Sequence, residues 1–416
     1  MQPYHRKSIL AVILSRRMLV ALLMGFSCGL PLLLTISVLQ AWMKEEGVDL
    51  AVIGMMALVG LPYTLKFVWA PFLDRFTLPF LGRRRGWLLV AQVALIFSIS
   101  SLGFSDPSGN PWRVALCAFL VTLFSASQDI VADAYRREDL PDAELGLGSS
   151  LYINGYRLGM LLASGGGLIL ADHISFSLVY LAMAACMIPG VLTTLMTPEP
   201  IVAEGRPETL KDAIIAPLVE YFNRKEAVWI LIFILLYKIG DTMATAMTIP
   251  FYLDIGFSKT EIGTVVKLYG FWATVCGTII GGLIMLRLGI NRSLWVFGFL
   301  QALSTACFAL LARIGYNIFG LSAVISFENL SSGMGTAAYA AFMASITNKK
   351  FTATQYALLS SLMGVPRVLA SAPTGLIAKN VGWESFFITC TIVAIPGMLI
   401  LLKFAPWSVR EAAVDH

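Results

Sequence analysis

Apolar segments long enough to cross a lipid bilayer alternate with short polar segments along almost the whole chain. A membrane-spanning α-helix needs about 20 predominantly apolar residues. The alternation therefore predicts an all-α integral membrane protein. We assign twelve transmembrane helices, at residues 18–42, 50–74, 87–105, 112–135, 147–170, 175–197, 227–252, 261–286, 291–313, 317–346, 353–378 and 384–404.

The longest polar stretch lies at residues 198–226 and divides the predicted spans into six and six. It predicts a cytoplasmic linker that carries a short surface helix. The flanking six-helix halves then cover residues 18–197 and 227–404. Residues 1–17 are predicted to form a cytoplasmic N-terminus with an interfacial helix, and residues 405–416 a cytoplasmic tail.

The two halves repeat short sequences at a nearly constant spacing. LTISVLQ at 34–40 matches MTIPFYL at 247–253, and SSLYINGYR at 149–157 matches SSLMGVPR at 360–367. Two pseudo-symmetric six-helix halves are the architecture of major facilitator carriers, which bind substrate near the bilayer midplane between the halves. An unrelated twelve-helix scaffold is the alternative.

The charge distribution predicts how the chain is oriented. With the N-terminus inside, twenty Lys and Arg residues fall at the inner surface and five at the outer surface. This bias predicts that both termini are cytoplasmic. It also explains the net charge of +5 without a nucleic-acid partner. The six cysteines and three histidines lack metal-ligand spacing, so we expect no metal and no cofactor.

Several charged side chains fall inside the predicted spans. Each costs roughly 2.5–3.5 kcal/mol on insertion scales when it faces lipid, so these residues are expected to face one another or a wet cavity. Arg157 and Arg367 occupy equivalent places in the two repeats. The full set is Lys66, Asp129, Asp133, Arg157, Lys238, Asp241, Lys267, Glu328 and Arg367.

The segment SASQDIVADAYRRED at 125–139 places Asp129 and Asp133 on one helix face. We expect Asp129 to be the deeper residue and to couple protons to transport, with Asp133 and Glu328 as further proton-coupling candidates. The alternative is a static ion pair, for which Arg157 on the next span lies at a similar depth. Arg136 and Arg137 are expected to mark the inner surface.

Lys238 and Asp241 lie three residues apart on the seventh span and can pair with each other. Simple self-neutralisation is an equally good interpretation of that pair. Glu328 and Asn329 interrupt the tenth span beside the small-residue run SSGMGTAAYA, which predicts a cavity wall or a bend.

One enzyme-like motif does not support catalysis. Residues 25–29, GFSCG, match the nucleophile-elbow pattern, but that pattern needs a strand–turn–helix context and here lies in an apolar helix. Gly25 and Gly29 are better explained as small residues at a helix–helix contact. No nucleotide-binding loop is found. We therefore expect a transporter driven by gradients and not an enzyme.

Long stretches of the chain resemble the AmpG family of muropeptide permeases, among them GFSCGLPLLLTISVLQAWM, SASQDIVADAY, GYRLGMLL and FENLSSGMGTAAYAAFM. The resemblance implies a bacterial inner-membrane carrier of the major facilitator type. It implies proton-driven import of N-acetylglucosaminyl-1,6-anhydro-N-acetylmuramyl peptides from periplasm to cytosol, for cell-wall recycling. In some bacteria the imported fragments control β-lactamase induction.

Such a substrate carries sugars and carboxylates, which aromatic and basic side chains can bind. The alternative for each aromatic residue is ordinary helix packing. The substrate-binding candidates are Lys66, Gln128, Tyr152, Tyr156, Arg157, Lys238, Asp241, Lys267, Tyr269, Trp272, Asn329 and Arg367.

The loop after the second span carries the candidate gating residues Asp74, Arg75, Arg83, Arg84 and Arg85. In the usual facilitator signature Gly-Arg-Arg closely follows Asp-Arg, whereas here FTLPFL separates them. Anchoring of the three arginines to anionic lipid is therefore the alternative.

The leading hypothesis is a monomeric carrier of anhydromuropeptides and protons in the lipid bilayer. A facilitator with another cargo, such as an acetyl-CoA-like molecule or a drug, is the nearest rival. A non-transporting membrane sensor is a rival of another class.

Overall fold

The computed structural model describes residues 12–201, 209–258, 261–364, 366, 370 and 373–407. These residues form helices joined by short connections, and no strand occurs among them. The all-helical architecture agrees with the prediction from the apolar periodicity. Most of the predicted interfacial helix at the N-terminus and Arg367 lie outside the described residues.

The helices of the N-terminal half follow the first six predicted spans. Several spans contain short π- or 3₁₀-helical turns, for example Leu34–Val38 and Met56–Gly60. The α-helices are α1 Arg16–Leu33, α2 Leu39–Glu45, α3 Leu50–Met55, α4 Leu61–Leu65, α5 Ala70–Arg75, α6 Arg83–Gly103, α7 Pro111–Asp139, α8 Asp142–Leu161, α9 Gly167–Ala171, α10 Phe176–Ala185 and α11 Ile188–Met196.

The remaining helices follow the linker and the later spans. A π-helical segment, Ile262–Tyr269, opens the eighth span. The α-helices are α12 Leu210–Phe222, α13 Ala227–Leu236, α14 Ile239–Asp254, α15 Gly270–Ile314, α16 Ile318–Ser345, α17 Thr352–Leu362 and α18 Thr374–Phe404.

Seven helical stretches within the described residues are long and apolar enough to cross a membrane. The stretch Ile262–Ile314 holds two predicted spans, because Gly289 breaks α15 with a φ of 77°. Gly382 breaks α18 in the same way, with a φ of 76°, so its first turns end the eleventh span. A left-handed backbone of this kind favours glycine, which has no Cβ to collide with the carbonyl. Helices therefore occupy all twelve predicted spans, the eleventh only in part.

Helices α1 and α8 approach each other closely through glycines. A methyl group on Gly25 would collide with the Tyr152 carbonyl oxygen, and one on Gly29 with the Tyr156 carbonyl oxygen. Gly155 and Gly159 meet the backbone of α1 from the other side. The prediction that GFSCG is a packing motif is confirmed.

The chain forms two compact units, each with its own core. The first comprises Met1–Leu218 together with Ile346–Ser361, and the second Val219–Ser345 with Leu362–His416. Residues Ile346–Ser361 follow the tenth span in sequence, yet Ala353 and Ala357 pack into a core of the first unit. The sequence-based domain limits remain a prediction.

Candidate functional site

A buried ion network, which we call the Arg84 network, lies in the first unit where α5 ends and α6 begins. The Arg84 side chain is fully buried and bonds the carboxylates of Asp74, at 2.7 Å, and Glu138, at 2.6 Å. Arg83 reaches the same Glu138 at 2.9 Å. The network places one guanidinium between carboxylates from two other helices.

The network also holds the chain segment that follows the tenth span. The Asp74 carboxylate accepts hydrogen bonds from the Thr354 amide at 2.7 Å and hydroxyl at 2.6 Å, and from the Ala353 amide at 3.3 Å. These donors form the first turn of α17, where backbone amides lack helical partners and favour an anion. Asp74 therefore links α17 to α5 and, through Arg84, to α6.

Neighbouring arginines of the same loop have different roles. Arg85 donates to the carbonyls of Thr194 and Leu195 at the end of α11, and Glu199 accepts from the first amides of α6. The Arg75 guanidinium lies over the ring of Phe76, 5.7 Å from its centroid.

These contacts correct the alternative interpretation of the arginine cluster as a lipid anchor. Arg84 is fully buried, and Arg85 is bound to helix carbonyls. Glu138, Glu199 and Thr354 were missed by the sequence analysis. The two glutamates lay outside the signature, and Thr354 lies far away in sequence.

A second polar cluster lies on the buried face of α7. Asp129 and Asp133 are each 7% exposed, and Lys66 is 8% exposed. The Lys66 ammonium acts electrostatically on both carboxylates. Gln128 donates from Nε2 to Ser27 and to the Cys28 sulfur, at 3.3 and 3.2 Å. Four of the predicted site residues are thus brought together in one unit.

Arg136 lies on the same face and is buried, not at the surface. It bonds Asp133 at 3.1 Å and the Tyr356 hydroxyl at 2.9 Å. Its guanidinium also stacks over the ring of Tyr152 at 4.5 Å. Arg136 and Arg137 are both buried within the protein, and their position at the inner membrane surface stays a prediction. Asp133 is held by Arg136, whereas Asp129 is not.

The predicted ion pair between Asp129 and Arg157 is not formed. The ion pairs of the described residues include none with either side chain, and the basic neighbour of Asp129 is Lys66. Asp129 Oδ1, Gln128 Oε1 and Arg157 Nη1 are buried without a hydrogen-bond partner. Spacing in sequence therefore did not predict the partner of Asp129, and the depth of Arg157 stays a prediction. Tyr156 lies next to it on α8, half-buried.

A third cluster lies in the second unit. Lys238 Nζ lies 3.3 Å from Asp241 Oδ2 and donates to the Thr336 hydroxyl at 2.8 Å, so the predicted local pair is confirmed. Glu328 accepts a hydrogen bond from the Ser304 hydroxyl at 2.5 Å. The Lys238–Thr336 hydrogen bond therefore links the charged pair at the start of α14 to α16.

The other predicted residues of the second unit are more exposed. Asn329 accepts from the Thr274 hydroxyl at 2.7 Å, and Tyr269 bonds Ser326 at 2.8 Å. Tyr269 and Trp272 are about half exposed, at 49% and 51%. Lys267 is exposed as well.

The helical spans with buried charge clusters define an integral membrane carrier. The family model of the Major Facilitator Superfamily matches residues 17–371, so this chain belongs to that superfamily. Solved structures show the same fold. A proton:xylose symporter bound to 6-bromo-6-deoxy-D-glucose superposes with a TM-score of 0.63 at 14% identity, covering 94% of this chain and 95% of that one.

Similarity to curated relatives identifies the family of the chain within this superfamily. It is 43% identical over 388 residues to the anhydromuropeptide permease of Escherichia coli K12, covering 93% of this chain and 79% of the relative. It is 33% identical over 426 residues to putative transporter AmpG 1 of Rickettsia prowazekii, covering 92% and 96%. The chain is therefore a member of the AmpG family. It is a multi-pass inner-membrane protein that transports a small molecule and is not an enzyme.

Proposed function

We propose that this protein imports anhydromuropeptides, the GlcNAc-1,6-anhydroMurNAc peptides, from periplasm to cytosol for cell-wall recycling. The 43% identity over 93% of the chain to the permease of Escherichia coli carries the proposal. We further propose proton coupling, a monomer in the lipid bilayer, alternating access and cytoplasmic termini. Import of these fragments would also connect the protein to β-lactamase induction.

The chemistry of the first unit supports an anionic sugar–peptide substrate. Arg157 has a buried Nη1 group without a protein partner, which can donate to a substrate carboxylate. Gln128 Oε1 is a buried acceptor without a partner, which suits a sugar hydroxyl. Lys66, Tyr152 and Tyr156 are the other candidates of this unit. Tyr152 is already covered by Arg136, so Tyr156 is the better candidate for stacking on a sugar.

The second unit supplies a separate set of substrate candidates. Tyr269 and Trp272 expose aromatic surface, and Lys267 exposes an ammonium group. Lys238, Asp241 and Asn329 complete the proposed set, with Arg367 outside the described residues.

We propose Asp129, Asp133 and Glu328 as carboxylates that take part in proton coupling. All three lie within predicted spans, where a charged group is costly unless it is paired or protonated. For gating we propose Asp74, Arg75 and Arg83–Arg85, supported by the bonds between Asp74 and the first turn of α17. A transition that separates these groups must break buried ion pairs.

The proposal is tested with purified protein in liposomes and a labelled GlcNAc-anhydroMurNAc tripeptide. With an inward proton gradient, we expect uptake above that of empty liposomes and loss of accumulation on adding an uncoupler. Excess unlabelled anhydromuropeptide should compete, whereas acetyl-CoA should not. Folded protein that takes up no labelled tripeptide would contradict the proposal, and competition by acetyl-CoA would favour another cargo.

A further inference from the structure

The linker helix α12 carries an exposed apolar stripe along one face, which we call the α12 stripe. At 3.6 residues per turn, its five positions fall within an arc of about 140°. Each side chain is 39–54% exposed, although all five are large and apolar. An exposed apolar patch of this kind marks a surface for an apolar partner. The stripe consists of Ile214, Ile215, Leu218, Val219 and Phe222.

Another side of α12 is bonded to the protein, which fixes the direction of the stripe. The Pro217 carbonyl accepts a hydrogen bond from Gln355 Nε2 of α17 at 3.1 Å, within the first unit. The Tyr221 hydroxyl donates to the Ala227 carbonyl at 3.4 Å. Pro217, Tyr221 and Ala213 are buried. The stripe is therefore turned away from these contacts.

The C-terminal end of α12 lies where the seventh span begins. Ala227 is the first residue of α13 and opens the apolar stretch Ala227–Asp254. The bond from Tyr221 to Ala227 keeps the two helix ends together. The first turn of α13 exposes Val228 and Trp229, and a tryptophan at a span end is typical of the membrane interface. The stripe therefore ends beside an apolar surface that a span presents to lipid.

The length and charge of α12 allow it to lie on a bilayer but not to cross one. Its 13 residues are fewer than the roughly 20 that a span needs, and Asp212 and Glu220 lie outside the stripe. Residues 209–226 contain three basic and three acidic residues, so their net charge is zero. A helix of this kind lies flat, with its apolar face about 5–10 Å into the boundary between headgroups and acyl chains. Apolar contact must supply its affinity, because attraction to anionic lipid cannot.

We propose that the α12 stripe is a lipid-binding surface and that α12 lies flat in the inner leaflet of the membrane. The leaflet follows from the proposed cytoplasmic position of the linker, and the inference does not depend on the transported cargo. The bilayer is the occupant because the stripe continues the lipid-facing surface of α13. Lipid contact holds α12 at the membrane, and the Pro217–Gln355 bond joins this held helix to α17.

Electron paramagnetic resonance on the full chain in liposomes tests the depth of the stripe. A nitroxide is attached through genetically encoded p-acetylphenylalanine, so the six native cysteines stay unchanged. The labelled stripe positions are Ile215 and Leu218, and the control is Asn223, an exposed polar residue just after α12. In phosphatidylcholine, the ratio of oxygen access to nickel-chelate access should be several-fold higher at both stripe positions than at the control. Added phosphatidylglycerol should leave the ratios unchanged, because the segment has no net charge.

Every other outcome contradicts the inference. Equal chelate access at Ile215 and Asn223 would mean that the stripe faces water. Low access of both oxygen and chelate would mean that protein covers the stripe, for example a second copy of the chain. A raised ratio that appears only with phosphatidylglycerol would mean that charge, and not apolar contact, drives the binding.

A charged variant tests whether the stripe itself causes the lipid contact. Ile215→Glu combined with Leu218→Glu should lower the oxygen-to-chelate ratio of a label at Val219 to that of the control position. Asn223→Glu adds a charge outside the stripe and should leave the ratio at Val219 unchanged. These positions are exposed, so we expect the variants to fold, as tryptophan fluorescence during unfolding can verify. An unchanged ratio in the folded double variant would overturn the inference.

Discussion

The Arg84 network makes a quantitative prediction for the change Arg84→Gln. In the folded protein the side chains of Arg84, Asp74 and Glu138 are all 0–1% exposed. The substitution removes the positive charge and leaves two buried carboxylates near each other. Removing one partner of a buried ion pair typically costs about 3–5 kcal/mol, because the remaining charge is uncompensated.

The surrounding contacts refine that magnitude. Asp74 retains its donors from Thr354 and Ala353, and Glu138 retains Arg83 at 2.9 Å. We therefore expect Arg84→Gln to lower the free energy of unfolding by about 3 kcal/mol, the low end of the range. Glu138→Gln should cost less, about 1–3 kcal/mol, because Arg84 keeps Asp74 and the new amide oxygen still accepts a hydrogen bond.

The assay is equilibrium unfolding in mixed micelles, read by tryptophan fluorescence at low and high salt. Arg113→Gln, at an exposed position, is the matched control and should change the free energy by less than about 0.5 kcal/mol. Buried pairs are screened little by salt, so the cost of Arg84→Gln should persist at high ionic strength. A loss no larger than that of the control would refute the view that this network stabilises the first unit.

Three further predictions concern packing, pH and substrate binding. Gly25→Ala should lower the free energy of unfolding by about 1–3 kcal/mol, because the added methyl group collides with the Tyr152 carbonyl oxygen. Gly60 has open space around it, so Gly60→Ala is the control and should be near neutral in the same unfolding assay. Hydrogen bonds from the Gly109 amide and from the Ser108 hydroxyl and amide hold the pKa of the Asp106 carboxyl below its ordinary value. The stabilisation by ionised Asp106 is therefore complete above the unfolded pKa of about 3.9 and is lost as the pH falls through the folded pKa. The free energies of unfolding of the wild type and Asp106→Ala should therefore differ more at pH 6 than at pH 2. An equal difference at both pH values would contradict this prediction. Arg157→Gln should weaken binding of the labelled tripeptide by about 1.5–3 kcal/mol, or roughly 10- to 150-fold, and unchanged affinity would exclude Arg157 from the substrate site.

The candidate site was predicted in part. Charged residues inside the predicted spans were identified as site candidates from the sequence, because a charge that faces lipid is costly. These residues are Lys66, Asp129, Asp133, Lys238, Asp241 and Glu328. The local pair of Lys238 and Asp241 followed from helical spacing alone. By contrast, the expected partner of Asp129 was wrong, since the directions of side chains on neighbouring helices depend on how those helices rotate and tilt.

Contacts between residues that lie far apart in the chain could not be predicted from the sequence. Asp74 and Thr354 are 280 residues apart, and no local signal connects them. In the sequence, Glu138 is one of several polar residues at the end of α7. In the structure, its carboxylate forms an ion pair with Arg84. The burial of Arg136 was missed for a similar reason, because a basic residue at the end of a span is usually an interfacial residue.

Hydrophobic segment length, charge asymmetry and internal repetition determined by themselves the class of protein and the predicted number of spans, because bilayer thickness and the cost of burying charge act on each segment separately. The family was indicated by the resemblance of long sequence stretches. Only the tertiary structure decided which buried charges are partners. In that structure Asp133 pairs with Arg136, Arg157 Nη1 has no hydrogen-bond partner, and Glu328 accepts from Ser304. Such contacts depend on the packing of several helices at once, which no single segment encodes.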